Sequence, residues 1–240
     1  MRFVIAIGLL ISSALPAAAQ WPEPLNSALT RSPNGPNYVF DVERTSTDTD
    51  DDGETLRAYA RVDPNAEDLK QITPAHLVDN SLPGSSFRAL AGIESALEDG
   101  IWCTRFAEDV PRDPDDIEIV SEDENTITYA FTPPVAEDAE GPEKKITRRT
   151  RAEITVSKTN PAVLNYAREL TRTVTIFVVA KIRKADSEVT CTRAPDGRTY
   201  TSYFQSEFQA SGIGDGGNAS EMRITAIYDP ETGELLAPES

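Results

Sequence analysis

The chain has little of the chemistry that most enzymes use. It contains one histidine, His76, and two cysteines in 240 residues. A metal site of several histidines is therefore excluded, and a Ser-His-Asp arrangement would need this one residue. The G-x-S-x-G, phosphate-loop and dinucleotide-binding patterns are also missing. The sequence therefore predicts no catalytic residue and no cofactor, and it disfavours an enzyme.

Long apolar runs are missing as well, apart from the first residues of the chain. Residues 3–15 are mostly apolar, follow Arg2 and precede three alanines that end at Ala19. This is the pattern of a secretory signal peptide cleaved after Ala19, and the run is too short for a membrane-spanning anchor. We therefore expect residues 1–19 to be a signal peptide. The mature protein should not be transmembrane, and it should reside in a bacterial periplasm or outside the cell.

The two cysteines, Cys103 and Cys191, form an even pair in a chain that we expect to be exported. Zinc and redox sites usually contain cysteines in C-x-x-C spacing, which is absent here. The favoured prediction is a structural disulfide that closes a loop of nearly ninety residues. Such a bond would stabilise the fold by about 4 kcal/mol on a chain-entropy argument.

The net charge of −17 is unevenly distributed. Residues 20–145 contain 10 basic and 28 acidic residues, whereas residues 146–228 contain 12 basic and 8 acidic residues. Most of the surface would repel a phosphate backbone, so we expect no nucleic acid partner. A basic cluster could bind an anionic headgroup or an acidic partner, although it more readily offsets the acidic half of the same molecule. Its members are Lys144, Lys145, Arg148, Arg149 and Arg151.

Apolar residues recur at every second position through most of residues 146–228. For example, Ala152, Ile154 and Val156 alternate with charged and polar neighbours. This period predicts antiparallel strands with one buried face, joined by turns into a meander. Residues 174–182 are apolar on both faces, which predicts a central strand that is covered on both sides.

Residues 37–132 form the acidic N-terminal lobe of the predicted domain. Two hairpins are expected there, and residues 85–99 carry apolar residues at helical spacing, which predicts the only long helix. Residues 133–145 are an acidic, proline-containing linker. The expected disulfide would cross this linker, so we predict a single β-rich domain over residues 20–240.

The predicted fold is mainly β, of the α+β kind. We expect a large, twisted antiparallel sheet, or a half-barrel meander, that covers one main helix; the alternative is a β-sandwich. The strand pattern, the helix count and the compartment together resemble the lipoprotein-carrier class of periplasmic proteins, in which a half-barrel is paired with a helical lid. This resemblance is at the level of the fold and includes no family motif.

Four aromatic residues are candidates for a ligand-binding surface on this sheet: Phe177, Tyr200, Phe204 and Phe208. They would line a cavity if the sheet curls around its helix without filling the space. The alternative is that they are ordinary core residues.

Asp48, Asp50 and Asp52 match the first half of a calcium-binding loop. The position where such a loop has its bidentate glutamate is Tyr59, and the flanking residues have the alternation of strands. We therefore predict no bound metal and favour a solvated hairpin tip.

Two functions are compatible with these expectations. The first is an exported, non-enzymatic binding protein for an apolar or amphipathic envelope ligand, such as a lipid or an apolar small molecule, in a half-barrel cavity. The alternative is a scaffold or interaction module with a filled core that binds another envelope protein.

Overall fold

The structure is a computed structural model that describes residues 21–30, 35–48, 53, 55–66, 72–76, 93, 100–177, 180–212 and 215–236. For residues 72–76 and Phe177 only the backbone is described. The predicted signal peptide, Asp50, Asp52 and all of the predicted helix 85–99 except Ile93 lie outside the described residues.

The described chain is mainly β-structure. It has two short α-helices, α1 (Leu25–Leu29) and α2 (Gly141–Thr147), and two 3₁₀ helices (Cys103–Asp109 and Pro114–Asp116). Its strands are β1 (Val39–Asp48), β2 (Thr55–Val62), β3 (Ile72–His76), β4 (Glu118–Glu122), β5 (Thr126–Phe131), β6 (Thr150–Ser157), β7 (Val163–Leu170), β8 (Val174–Phe177), β9 (Ala180–Arg193), β10 (Thr199–Ser211), β11 (Gly216–Tyr228) and β12 (Leu235–Leu236). No helix among the described residues is long and apolar enough to cross a membrane.

All of these strands belong to one antiparallel sheet, in the order β3-β2-β1-β11-β10-β9-β7-β6-β5-β4. Strand β12 pairs with β11, and β8 pairs with β9. The predicted large antiparallel sheet is therefore confirmed. A β-sandwich needs two packed sheets, whereas the described strands form one.

The second half of the sheet is the predicted meander, because strands that follow each other in the chain are neighbours from β4 to β7 and from β9 to β11. A turn at residues 195–197 joins β9 to β10, and Gly197 there has a φ of 82°, a conformation that favours glycine. The hairpin of β1 and β2 joins the far side of the sheet, where Phe40 pairs with Ile227.

The prediction of a single central strand over residues 174–182 is wrong. Strand β8 and the start of β9 pair with each other, with Val174 opposite Ile182 and Phe177 opposite Ala180. A pattern that is apolar on both faces fits one covered strand and two short strands equally well, since it contains no turn residue. His76, the one histidine of the chain, is the last residue of β3.

The linker predicted over residues 133–145 contains the start of α2. Strand β5 before it and strand β6 after it are paired along their length, from Thr126 opposite Ser157 to Phe131 opposite Ala152. The sheet therefore continues across this segment.

Two groups of buried residues lie on one face of the sheet. The α1 cluster packs α1 and the 3₁₀ helix Cys103–Asp109 on β5, β6, β7 and β9, and Phe106 stacks on Tyr166 with ring centroids 4.1 Å apart. The Ile93 cluster packs helical Ile93 and Ile101 on β1, β2, β10 and β11. Small helices that pack on one face of a sheet bury the apolar residues that each strand contributes to that face.

The predicted disulfide between Cys103 and Cys191 is confirmed, with the Cα atoms 6.4 Å apart and both cysteines buried. It joins the 3₁₀ helix to β9, and Tyr166 Oη donates a hydrogen bond to Asp109 Oδ2 at 2.6 Å at the other end of that helix. Burial and the neighbouring Asp109 carboxylate raise the pKa of Tyr166. This tyrosine is therefore neutral and anchors the helix to β7.

Candidate functional site

The register of the sheet defines one face, which we call the inner face. Directly opposed residues in antiparallel strands have their side chains on the same face. One row of such residues crosses eight strands and includes members of both buried clusters. The row consists of Ala58, Arg44, Met222, Phe204, Val189, Tyr166, Ile154 and Tyr129.

Phe204 lies where the two buried clusters meet. It packs against both of them and yet is only partly buried. Phe208 is on the same face four residues later, opposite Asn218 and Ala185, and is 43% exposed. The inner face is thus less completely covered at Phe204 and Phe208 than on β5 and β6, where Tyr129 and Ile154 are fully buried.

The four predicted aromatic site residues are not all brought together. Tyr200 is buried in the Ile93 cluster, with its ring centroid 5.9 Å from that of Phe40. A register shift between Thr201 and Tyr203 interrupts the alternation between Tyr200 and Phe204. The side chain of Phe177 lies outside the described residues. The structure therefore places Phe204 and Phe208 together on the inner face and Tyr200 in the core.

A second row on the inner face consists mainly of serines. We call it the serine row, and it runs across β1, β11, β10, β9 and β7 with consecutive members directly opposed. Its members are Ser46, Ser220, Ser206, Ser187 and Arg168. Sequence reasoning missed this row, because each strand contributes one ordinary polar residue and only the register aligns them.

Ser220 is the unusual member of the serine row. It is 4% exposed, and its hydroxyl has no hydrogen-bond partner among the described residues. A buried hydroxyl without a partner loses its hydration without compensation. Its neighbour Ser46 accepts a hydrogen bond from Asn218 Nδ2 at 2.7 Å, and the same amide nitrogen is 3.3 Å from Asp48 Oδ1.

Arg44 is the one charged residue in the row that contains Phe204. Its guanidinium is half-buried, and it makes no hydrogen bond or ion pair within the described part of the chain. Burial lowers the pKa of Arg44, as expected for a cation that loses solvation. The outer face contrasts with this, because Arg61 binds Asp41 there with two hydrogen bonds of 2.7 and 2.9 Å.

Of the three aspartates considered as a metal site, the structure describes only Asp48. Asp48 ends β1 and accepts the long hydrogen bond from Asn218, while Asp50 and Asp52 lie outside the described residues. Within the described ranges, no group of three or more histidine, cysteine or acidic side chains could hold a metal ion.

The basic cluster of the sequence is largely engaged within the molecule. Lys145 and Arg149 donate to the carbonyls of Thr175 and Thr173. Arg151 lies 3.2 Å from Glu153 and 3.7 Å from Glu118. These contacts tie α2 and β6 to their neighbours, so the cluster is less suited than Arg44 to an external anion.

Comparison with protein-family models, with curated protein sequences and with solved structures finds no match to this chain. Among the described residues, the inner face combines an incompletely covered aromatic pair, a buried hydroxyl without a hydrogen-bond partner and a half-buried cation without a carboxylate partner.

Proposed function

We propose that this protein is an exported, non-enzymatic binding protein that takes an apolar or amphipathic ligand on the inner face of its sheet. The ligand class includes the lipids of a cell envelope. The observation that supports the proposal most strongly is the exposure of Phe208 beside the partly buried Phe204 in the middle of the sheet.

A filled core would bury the centre of the sheet most completely, because the central strands are farthest from solvent at the edges. Phe208 departs from this order, since it is 43% exposed on the central strand β10, whereas Tyr200 on the same strand and Phe131 on β5 are buried. Covering the exposed part of one phenylalanine would contribute about 2 kcal/mol. A ligand with an apolar part that covers Phe208 would gain this free energy.

The compartment supports the same proposal. The buried disulfide between Cys103 and Cys191 is consistent with an oxidising location, either extracellular or periplasmic. The signal peptide predicted over residues 1–19 would deliver the protein there. A scaffold module with a filled core would give no role to the exposure of Phe208, which is why we prefer the binding protein.

The test compares two inner-face variants with two controls. Binding of the uncharged fluorescent probe N-phenyl-1-naphthylamine and the free energy of unfolding are measured together. We expect Phe208→Ala to weaken probe binding with little loss of stability, and Phe204→Ala to weaken it as well. Phe204→Ala should cost less stability than Phe131→Ala, which removes a buried ring and should cost about 3–5 kcal/mol.

The second control is Ile119→Ala, which removes an exposed apolar side chain on the edge strand β4. Probe binding by this variant should equal that of the wild type. The proposal fails if Phe204→Ala is as destabilising as Phe131→Ala and neither inner-face variant changes probe binding, because both rings would then be packed core.

A further inference from the structure

We infer that the ligand of the inner face is an anionic amphiphile, whose phosphate or carboxylate group binds to Arg44 and Ser220 while its apolar chain covers Phe204 and Phe208. This inference rests on the proposed function and specifies its ligand.

The first observation is the position of Arg44 relative to the aromatic pair. Arg44 is opposite Met222, and Met222 is opposite Phe204, so two strand spacings separate the cation from the ring. Two spacings are about 10 Å. A single amphiphile can therefore place its charged group at Arg44 and the first part of its chain on Phe204.

The second observation is that no carboxylate among the described residues pairs with Arg44. Asp48 is the other charged residue on the inner face of β1, and its carboxylate already accepts from Asn218. A half-buried guanidinium loses hydration, and an anion that binds it with good hydrogen-bond geometry offsets part of this cost. Arginine presents several donors in a planar fork, which suits phosphate and carboxylate oxygens.

The third observation is independent of the charge. Ser220 is diagonal to Arg44, in the next pair on the same face of the β1–β11 ladder, and its buried hydroxyl has no partner in the described part of the chain. Diagonal neighbours on one face are about 7–8 Å apart at the backbone, within reach of a long side chain. An oxyanion between the two side chains would accept hydrogen bonds from both of them and would give the Ser220 hydroxyl a partner.

The experiment uses titration calorimetry with two amphiphiles of equal chain length and one free anion. Dodecyl phosphate carries the anion, 1-monolauroylglycerol is uncharged, and inorganic phosphate lacks the chain. We expect the wild type to bind dodecyl phosphate at least about tenfold more tightly than 1-monolauroylglycerol, the range of one charge-assisted contact. Inorganic phosphate should bind much more weakly than either amphiphile.

The variants assign this preference to particular residues. Arg44→Gln should remove the preference for dodecyl phosphate and leave the affinity for 1-monolauroylglycerol unchanged. Ser220→Ala should lower the affinity for dodecyl phosphate about threefold to tenfold. Arg223→Gln is the matched control, because Arg223 is next to Met222 on β11 but opposite Glu43 on the outer face, and it should change neither affinity. Arg44→Lys keeps the positive charge but lacks the planar set of donors. Its affinity for dodecyl phosphate should lie between those of the wild type and Arg44→Gln.

Three results would overturn the inference. Equal binding of both amphiphiles that is unaffected in Arg44→Gln and Ser220→Ala would reject it and leave the proposed function standing. Inorganic phosphate bound as tightly as dodecyl phosphate would show an anion site without a role for the aromatic pair. If neither amphiphile binds, the inference and the proposed function both fail.

Discussion

Ser46 and Ser220 face each other across strands β1 and β11, and both are buried. Within the described ranges only the hydroxyl of Ser46 has a hydrogen-bond partner. Two serines in the same row therefore differ in the hydrogen bonding of their hydroxyls. This difference gives a matched pair of substitutions.

We expect Ser220→Ala and Ser46→Ala to change stability in opposite directions. Removing an unpaired buried hydroxyl should be neutral or should stabilise the ligand-free protein by about 1 kcal/mol, whereas removing the partner of Asn218 should destabilise it by about 1 kcal/mol. Urea unfolding of the two variants beside the wild type measures both values. Equal losses of stability would show that the Ser220 hydroxyl is satisfied in solution.

The disulfide between Cys103 and Cys191 should carry a large share of the stability. The bonded residues are 88 positions apart, and the chain-entropy argument assigns about 4–5 kcal/mol to a loop of that length. We expect the midpoint of urea unfolding to fall when a reductant is added. A variant with alanine at both positions should show no response to the reductant, and a wild type that also fails to respond would contradict the prediction.

Asp41 should make stability depend on pH below the neutral range. Hydrogen bonds from Arg61 and Tyr228 lower the pKa of Asp41 from its ordinary value of 3.8. A lowered folded-state pKa means that the contribution is fully present above the unfolded-state pKa and is lost as pH falls through the folded-state value.

The measurement is the unfolding free energy of the wild type and Asp41→Asn between about pH 6 and about pH 2. The difference in unfolding free energy between the wild type and Asp41→Asn should be constant near pH 6 and should shrink as the pH falls below about 4. A difference that grows on acidification would have the wrong sign for this carboxylate.

Much of the fold could be predicted because the information is local. Alternation such as Ala152, Ile154 and Val156 has a period of two residues, and a strand with one buried face requires nothing else. The turn at Gly197 is equally local, since it depends on the left-handed conformation of one residue. Where the alternation was lost, in residues 174–182, the prediction of one strand was wrong because apolar residues on both faces carry no signal for a turn.

The candidate site was less accessible to sequence reasoning. Phe204 and Phe208 were recognisable from their spacing in one strand, but Arg44 and Ser220 were not singled out. Each is an ordinary residue in its own strand. Their significance comes from missing partners, and a sequence does not show which polar groups are left unpaired.

By itself, the sequence determined the β-rich class, the meander of the second half and the pairing of the two cysteines, because these follow from short-range alternation and from elimination. Only the tertiary structure decided that β1 pairs with β11, where Phe40 meets Ile227. That pairing closes a very long loop, so its choice depends on the packing of the whole inner face rather than on any local pattern. It is also the contact that brings Arg44 beside Met222 and Phe204.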